Sequence, residues 1–194
     1  RQLVQLGDAR FSEHHRNRLK RRFGYICPSS AAIRLLLKEQ HGIIEFMAGS
    51  GYFMEVIRRA ADRKLRGKLW ASDLHPPSRF WLPTTGIAWD KKWFRKLRRG
   101  NEFHFPKLMS ATPKPTMLLV WPFLNNTADA HAVHRFAQLG GTRLALVQSF
   151  DYASGSFALQ KLIKNCWREL ASAPTFNCSR VLPCPRLRLY EFVQ

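Results

Sequence analysis

Acidic residues, cysteines and long apolar runs are all scarce in this chain. Asp and Glu number 13 against 32 Lys and Arg in 194 residues, which leaves a formal charge of +19 and a pI near 10.8. A surplus of that size points to a polyanionic partner, with nucleic acid first. The competing reading is a soluble enzyme with a solvated basic surface. The four cysteines, Cys27, Cys166, Cys178 and Cys184, form no Cys-x-x-Cys pair and have no His partners at finger spacing. Thiols buried in a reducing compartment are therefore expected rather than disulfides, and no metal site is expected. No apolar stretch approaches the ~20 residues that cross a bilayer, so no membrane partner is expected. No phosphate-loop motif occurs. A dinucleotide fingerprint is also incomplete, because Met54 stands where its third glycine would allow close helix–strand packing.

Apolar content is ample for one full core: 45% of residues are hydrophobic, with six Trp and fourteen Phe. Residues 1–24 read as a basic arm. Arg10, Arg16, Arg18, Lys20, Arg21 and Arg22 leave too few apolar positions there for a core-facing stripe. Residues 25–194 read as one domain. Pro28-Ser-Ser30 caps a helix to about Gln40, Ile43–Phe46 is a buried strand, and Phe53 to about Lys64 is a helix. Lys68–Asp73, Thr116–Trp121 and Thr142–Gln148 are further buried strands, and Ala128–Leu139 is the helix between the last two. A short basic helix is expected within residues 91–99, and a helix from Phe157 to about Ala171. Two terminal strands, Cys178–Pro183 and Leu187–Val193, are expected to pair antiparallel. The alternation gives an α/β, Rossmann-like doubly wound mixed sheet of about seven strands, ending in an antiparallel hairpin.

The segment most directly tied to chemistry is Glu45-Phe-Met-Ala-Gly-Ser-Gly51, a carboxylate at a strand end followed by a glycine turn and a helix. Asp73 closes the next strand in the same way. On these residues, the order of elements and the terminal hairpin, residues 25 to 194 resemble the class I S-adenosylmethionine-dependent methyltransferases. Met47 stands where that family has its first turn glycine. The resemblance implies S-adenosylmethionine as cofactor, with the backbone at Ala48, Gly49 and Gly51 near its methionine part. Glu45 would lie beneath, orienting the turn or the cofactor amine. Asp73 would accept from the ribose hydroxyls, and Leu74 would pack on adenine. Vicinal hydroxyls suit an ionised, bidentate acceptor. The alternatives are that Glu45 caps local backbone amides and that Asp73 caps the next turn.

The family's fourth motif often carries the catalytic chemistry. Here it reads Val120-Trp121-Pro122-Phe123, without the polar residue of amino-group methylating members. Asn125, Asn126, Asp129, Asp151 and Tyr152 lie further along, and no catalytic residue is assigned. Trp121 and Phe123 could stack on a base or fill the core. The basic groups Arg16, Arg18, Lys20, Arg21 and Arg22, with Lys91, Lys92, Arg95, Lys96, Arg98 and Arg99, are candidates for RNA phosphates; the second group lies among Trp89, Trp93 and Phe94. Two readings follow. One is a methyltransferase-like protein that binds RNA, acting on or within a ribonucleoprotein. The other is an inactive methyltransferase-fold subunit or assembly factor of a ribosome. The basic balance and the start at Arg1 fit a mitochondrial protein whose presequence has been removed, although any trimmed chain would begin the same way; otherwise it would be cytoplasmic.

Overall fold

The computed structural model describes residues 26–74, 93–100, 109–110, 113–122, 127–148, 154–177 and 185–193. The basic arm, Lys91, Lys92 and the expected strand Cys178–Pro183 lie outside them. So do Phe123, Asn125, Asn126, Asp151 and Tyr152. A short strand, β1 (Ile26–Cys27), leads into helix α1 (Ser30–Leu37), strand β2 (Ile43–Phe46), helix α2 (Tyr52–Ala60) and a one-turn helix α3 (Arg63–Arg66). Strands β3 (Leu69–Asp73), β4 (Arg98–Arg99) and β5 (Thr116–Val120) follow, then helix α4 (Ala128–Gln138) and strand β6 (Arg143–Gln148). Helix α5 (Phe157–Cys166) and strands β7 (Trp167–Pro174), β8 (Phe176–Asn177) and β9 (Arg186–Phe192) complete the order.

Seven strands form one sheet in the order β4-β3-β2-β5-β6-β9-β7. The first five are parallel, and β9 runs antiparallel between β6 and β7. The central strands are buried on both faces, and their side chains alternate between two cores. Ile43, Leu118, Ala145 and Val147 join the core beneath α1 and α2, while Ile44, Phe46, Met117, Leu119, Leu144 and Leu146 join the core beneath α4 and α5. The chain order reverses between β2 and β5. In parallel sheets such a switch point opens a crevice at the carboxyl ends of the strands, where ligands bind.

Several expectations are corrected. The helix expected to run to Ala171 stops at Cys166, because Trp167 turns extended (φ −132°, ψ 135°) and pairs with Phe192. Their rings pack edge to face at 5.2 Å. Leu159 and Ile163 set a helical period that Cys166 and Trp167 continue, so only long-range strand pairing reveals the break. Strand β7 pairs antiparallel with β9, with a bulge between Glu169 and Ala171. The basic stretch at 91–99 is not helical over its described part: Arg98–Arg99 adds a short parallel strand beside Ser72 and Asp73. The helix expected from Phe53 to Lys64 is also broken, since the Asp62 side chain accepts from Leu65 N at 2.7 Å and starts α3 afresh.

Candidate functional site

The turn after β2 is held by two carboxylates on neighbouring strands. Asp73, at the end of β3, accepts from the backbone N–H of Gly49 at 2.7 Å through Oδ2, and Ala48 N donates to Ser72 O at 3.0 Å. Gly51 N closes the turn on Ala48 O at 2.8 Å, with φ of 54° at Gly49 and 72° at Gly51. These left-handed values are what glycine supplies without steric cost.

Glu45 lies between Ala71 and Leu118 in register, on the face covered by α2, and is 1% exposed. Its Oε2 accepts from Met54 N in the first turn of α2 at 3.2 Å. Burial pushes its carboxyl up to about 8; the Met54 N–H works against that rise and the nearby Asp73 charge adds to it. At neutral pH Glu45 is thus mostly protonated. It orients the turn and the head of α2, as the backbone-capping alternative has it, and it offers no full negative charge to a cofactor ammonium.

Two residues other than glycine adopt left-handed backbone among the described residues: Met47 (φ 58°) and Trp121 (φ 54°). Each is the first residue past a central strand, Met47 after β2 and Trp121 after β5, so they flank the switch point. Such conformations cost about 1–3 kcal/mol each and collect at functional sites. Both side chains are half-buried against the cores, Met47 on the α4–α5 side and Trp121 on the α1–α2 side. The left-handed Met47 explains why related turns place glycine at that position. For Trp121 the only sequence signal is Pro122, which steers its predecessor away from right-handed helix.

Sequence reasoning missed the segment that covers the turn. Trp93 N donates to Ser50 O at 2.9 Å, and the Trp93 and Tyr52 rings meet edge to face at 5.3 Å. Phe94 and Leu97 are buried to 1% and 2% exposure. A Cβ added at Gly51 would come within 2.8 Å of the Phe94 Cβ, so the bareness of Gly51 serves the chain's own packing. Phe94 is therefore no platform for a base. Gly100 N then donates to Asp73 O at 3.0 Å. Arg95, Lys96, Arg98 and Arg99 are exposed along this segment. They stand beside the strand that ends in Asp73.

The residues present fit S-adenosylmethionine in part. Asp73 is half-buried at a strand end beside the glycine turn. Leu74, next to it, is 52% exposed, an apolar surface of the kind a purine covers. Ala48 and Gly49 are partly exposed, whereas Gly51 is buried. Asp129, the acidic residue nearest in sequence to β5, is 0% exposed. Its Oδ2 accepts from Ser156 N at 2.7 Å, and its Oδ1 accepts from Ser156 Oγ at 2.7 Å and from Ala130 N at 2.6 Å. It joins the heads of α4 and α5 and does not serve as a base. No three of His, Cys, Asp and Glu come together as a metal site among the described residues, and none of their helices is long and apolar enough to cross a membrane.

The comparisons with known proteins agree with this topology. An rRNA methylase from Streptococcus thermophilus superposes with a TM-score of 0.50 at 12% identity, over 84% of this chain and 95% of that one. The chain has the fold of the class I S-adenosylmethionine-dependent methyltransferases. An uncharacterized protein from Listeria monocytogenes superposes at TM-score 0.52 and 12% identity, over 86% of this chain and 69% of that one. TrmN from Thermus thermophilus matches at TM-score 0.48 and 15% identity, over 84% of this chain, which spans 48% of that protein's length. No protein-family model matches the sequence, and no curated protein matches it.

Proposed function

We propose that this chain binds S-adenosylmethionine at the turn between β2 and α2 and acts on RNA or within a ribonucleoprotein. The observation that carries the reading is one strand end serving two chemistries. Asp73 closes β3 beside the glycine turn, and the exposed Arg98 and Arg99 pair with the same residues from the next strand. When bound, the cofactor supplies an electrophilic methyl group for in-line displacement. The chain's own residues position it. Asp73 takes the ribose hydroxyls, Leu74 lies against adenine, and the backbone at Ala48 and Gly49 approaches the amino-acid end. Glu45 keeps its proton and holds the head of α2 in place.

Arg95, Lys96, Arg98 and Arg99 take RNA phosphates, joined by the basic arm of residues 1–24 and by Lys91 and Lys92. The surplus of Lys and Arg over Asp and Glu supports this part, as does the rRNA methylase among the similar folds. Ribosomal RNA in a mitochondrion is the partner and place this charge fits best.

A second reading is favoured by Phe94 and Leu97, which fill the open side of Gly51, and by Val120-Trp121-Pro122 in place of a polar fourth motif. In it the fold is kept as an inactive subunit or assembly factor of a mitochondrial ribosome. One experiment separates the two. Protein purified with its bound nucleic acid is incubated with radiolabelled cofactor. Label entering the RNA, and lost in Asp73→Ala, supports the enzyme. Salt-sensitive RNA retention without label supports the structural subunit. Protein free of nucleic acid, with no affinity for added RNA at low salt, contradicts both.

A further inference from the structure

The segment Trp93–Gly100 has two sides with different duties. Inward, Phe94 and Leu97 pack against Gly51, Trp93 N holds Ser50 O, and Gly100 N holds Asp73 O. Outward, Arg95, Lys96, Arg98 and Arg99 are exposed, and no ion pair among the described residues involves any of them. Neighbouring strands lie about 4.8 Å apart, which puts the Arg98 and Arg99 charges on the order of 10 Å from the Asp73 carboxylate. That is about one screening length in ordinary buffer, so these cations still act on a charged ligand at the turn.

S-adenosylmethionine carries one net positive charge, from its sulfonium, ammonium and carboxylate. S-adenosylhomocysteine, its demethylated product, carries none. Exposed cations beside the turn therefore oppose the first ligand and leave the second nearly indifferent. At such distances each cation weakens a cationic ligand by about twofold in low salt. We propose that this segment links the two binding surfaces: RNA phosphates that neutralise its outer side strengthen binding of S-adenosylmethionine at the turn and leave S-adenosylhomocysteine almost unaffected. The link rests on the functional reading above. It makes the protein choose charged cofactor over spent product only while RNA is in place.

The test is calorimetric titration of the full chain with each nucleoside, alone and saturated with a short oligouridylate, at low and at high salt. At low salt the RNA is expected to tighten S-adenosylmethionine binding by about three- to tenfold and S-adenosylhomocysteine by less than about twofold, the difference vanishing at high salt. Arg95→Ala/Lys96→Ala, which alters exposed side chains only, is expected to bind S-adenosylmethionine more tightly without RNA and to lose part of the RNA response. Equal effects on both nucleosides, or no effect while RNA and nucleosides all bind, overturn the link alone. If neither nucleoside binds the folded wild type, the cofactor reading falls and the link falls with it.

Discussion

Two aspartates near the carboxyl end of the sheet tie loops together, and they do so differently. Asp129 is fully buried and receives three hydrogen bonds, which join α4 to α5 behind the β5 and β6 strand ends. Ser156 extends the chain of bonds, since its Oγ accepts from Leu159 N at 3.0 Å while donating to Asp129. Asp73 joins β3 to the glycine turn through its bond from Gly49 N and remains half-buried at the strand end. A carboxylate saturated by its own chain is a structural part. A carboxylate left partly in water at a strand end keeps capacity for a ligand. The two aspartates thus differ in burial rather than in residue type.

The contrast is broken most strongly at Asp129. Replacing it with alanine leaves the Ser156 and Ala130 amides without their acceptor in a closed interior. We expect a loss of about 3 kcal/mol, read as a lower midpoint in urea unfolding. Asp129→Asn keeps one acceptor oxygen and is expected to lose roughly half as much.

Glu45 gives the next effect, and its sign follows from its raised pKa. Below its ordinary value of 4.5 the carboxyl is protonated folded or unfolded, and it adds no pH dependence. Between 4.5 and about 8 the unfolded chain releases the proton while the folded chain keeps it, so stability falls as pH rises. Glu45→Gln keeps an acceptor for Met54 N–H and removes the titration. Its stability curve is expected to be flatter across that window, leaving it on the order of 4 kcal/mol better relative to wild type at pH 8 than at pH 4.5. Parallel curves measured by thermal unfolding would show that Glu45 is not protonated in the fold.

Gly51→Ala sharpens the comparison from the turn side. The new methyl meets Phe94 at 2.8 Å with φ at 72°, so a loss of about 1–2 kcal/mol is expected in the same unfolding assay. Phe94→Ala in the same chain is expected to recover none of the steric cost, because alanine keeps the Cβ that the new methyl meets.

Much of this arrangement was legible in the sequence because it is local. Ile43–Phe46, the glycine turn and Asp73 carry their own signals: an apolar run, residues that tolerate left-handed backbone, and a charge at a strand end. The expected bounds of β2 match the observed Ile43–Phe46. What stayed hidden depends on contacts distant in sequence. Trp167 reads as helix until Phe192 is placed beside it. Arg98 and Arg99 read as one face of a basic helix until Ser72 and Asp73 offer them a strand edge. Phe94 reads as an aromatic for RNA until its Cβ and backbone are seen packed against Gly51, forty-three positions earlier. Asp129 reads as one more polar residue past β5, and only the 27-residue reach to Ser156 shows where its oxygens point.

The central claim is that Asp73 is the cofactor carboxylate, and one experiment addresses it directly. S-adenosylhomocysteine is titrated calorimetrically into wild type and Asp73→Ala, and the thermal midpoints of the same samples are recorded. Saturable binding by wild type is predicted, weakened at least about tenfold in the variant by loss of hydrogen bonds to a charged acceptor. The midpoint should move by only a few degrees, since the variant gives up about 1 kcal/mol at the turn. Folded wild type giving no heat at millimolar ligand, or a folded variant binding as tightly as wild type, would contradict it.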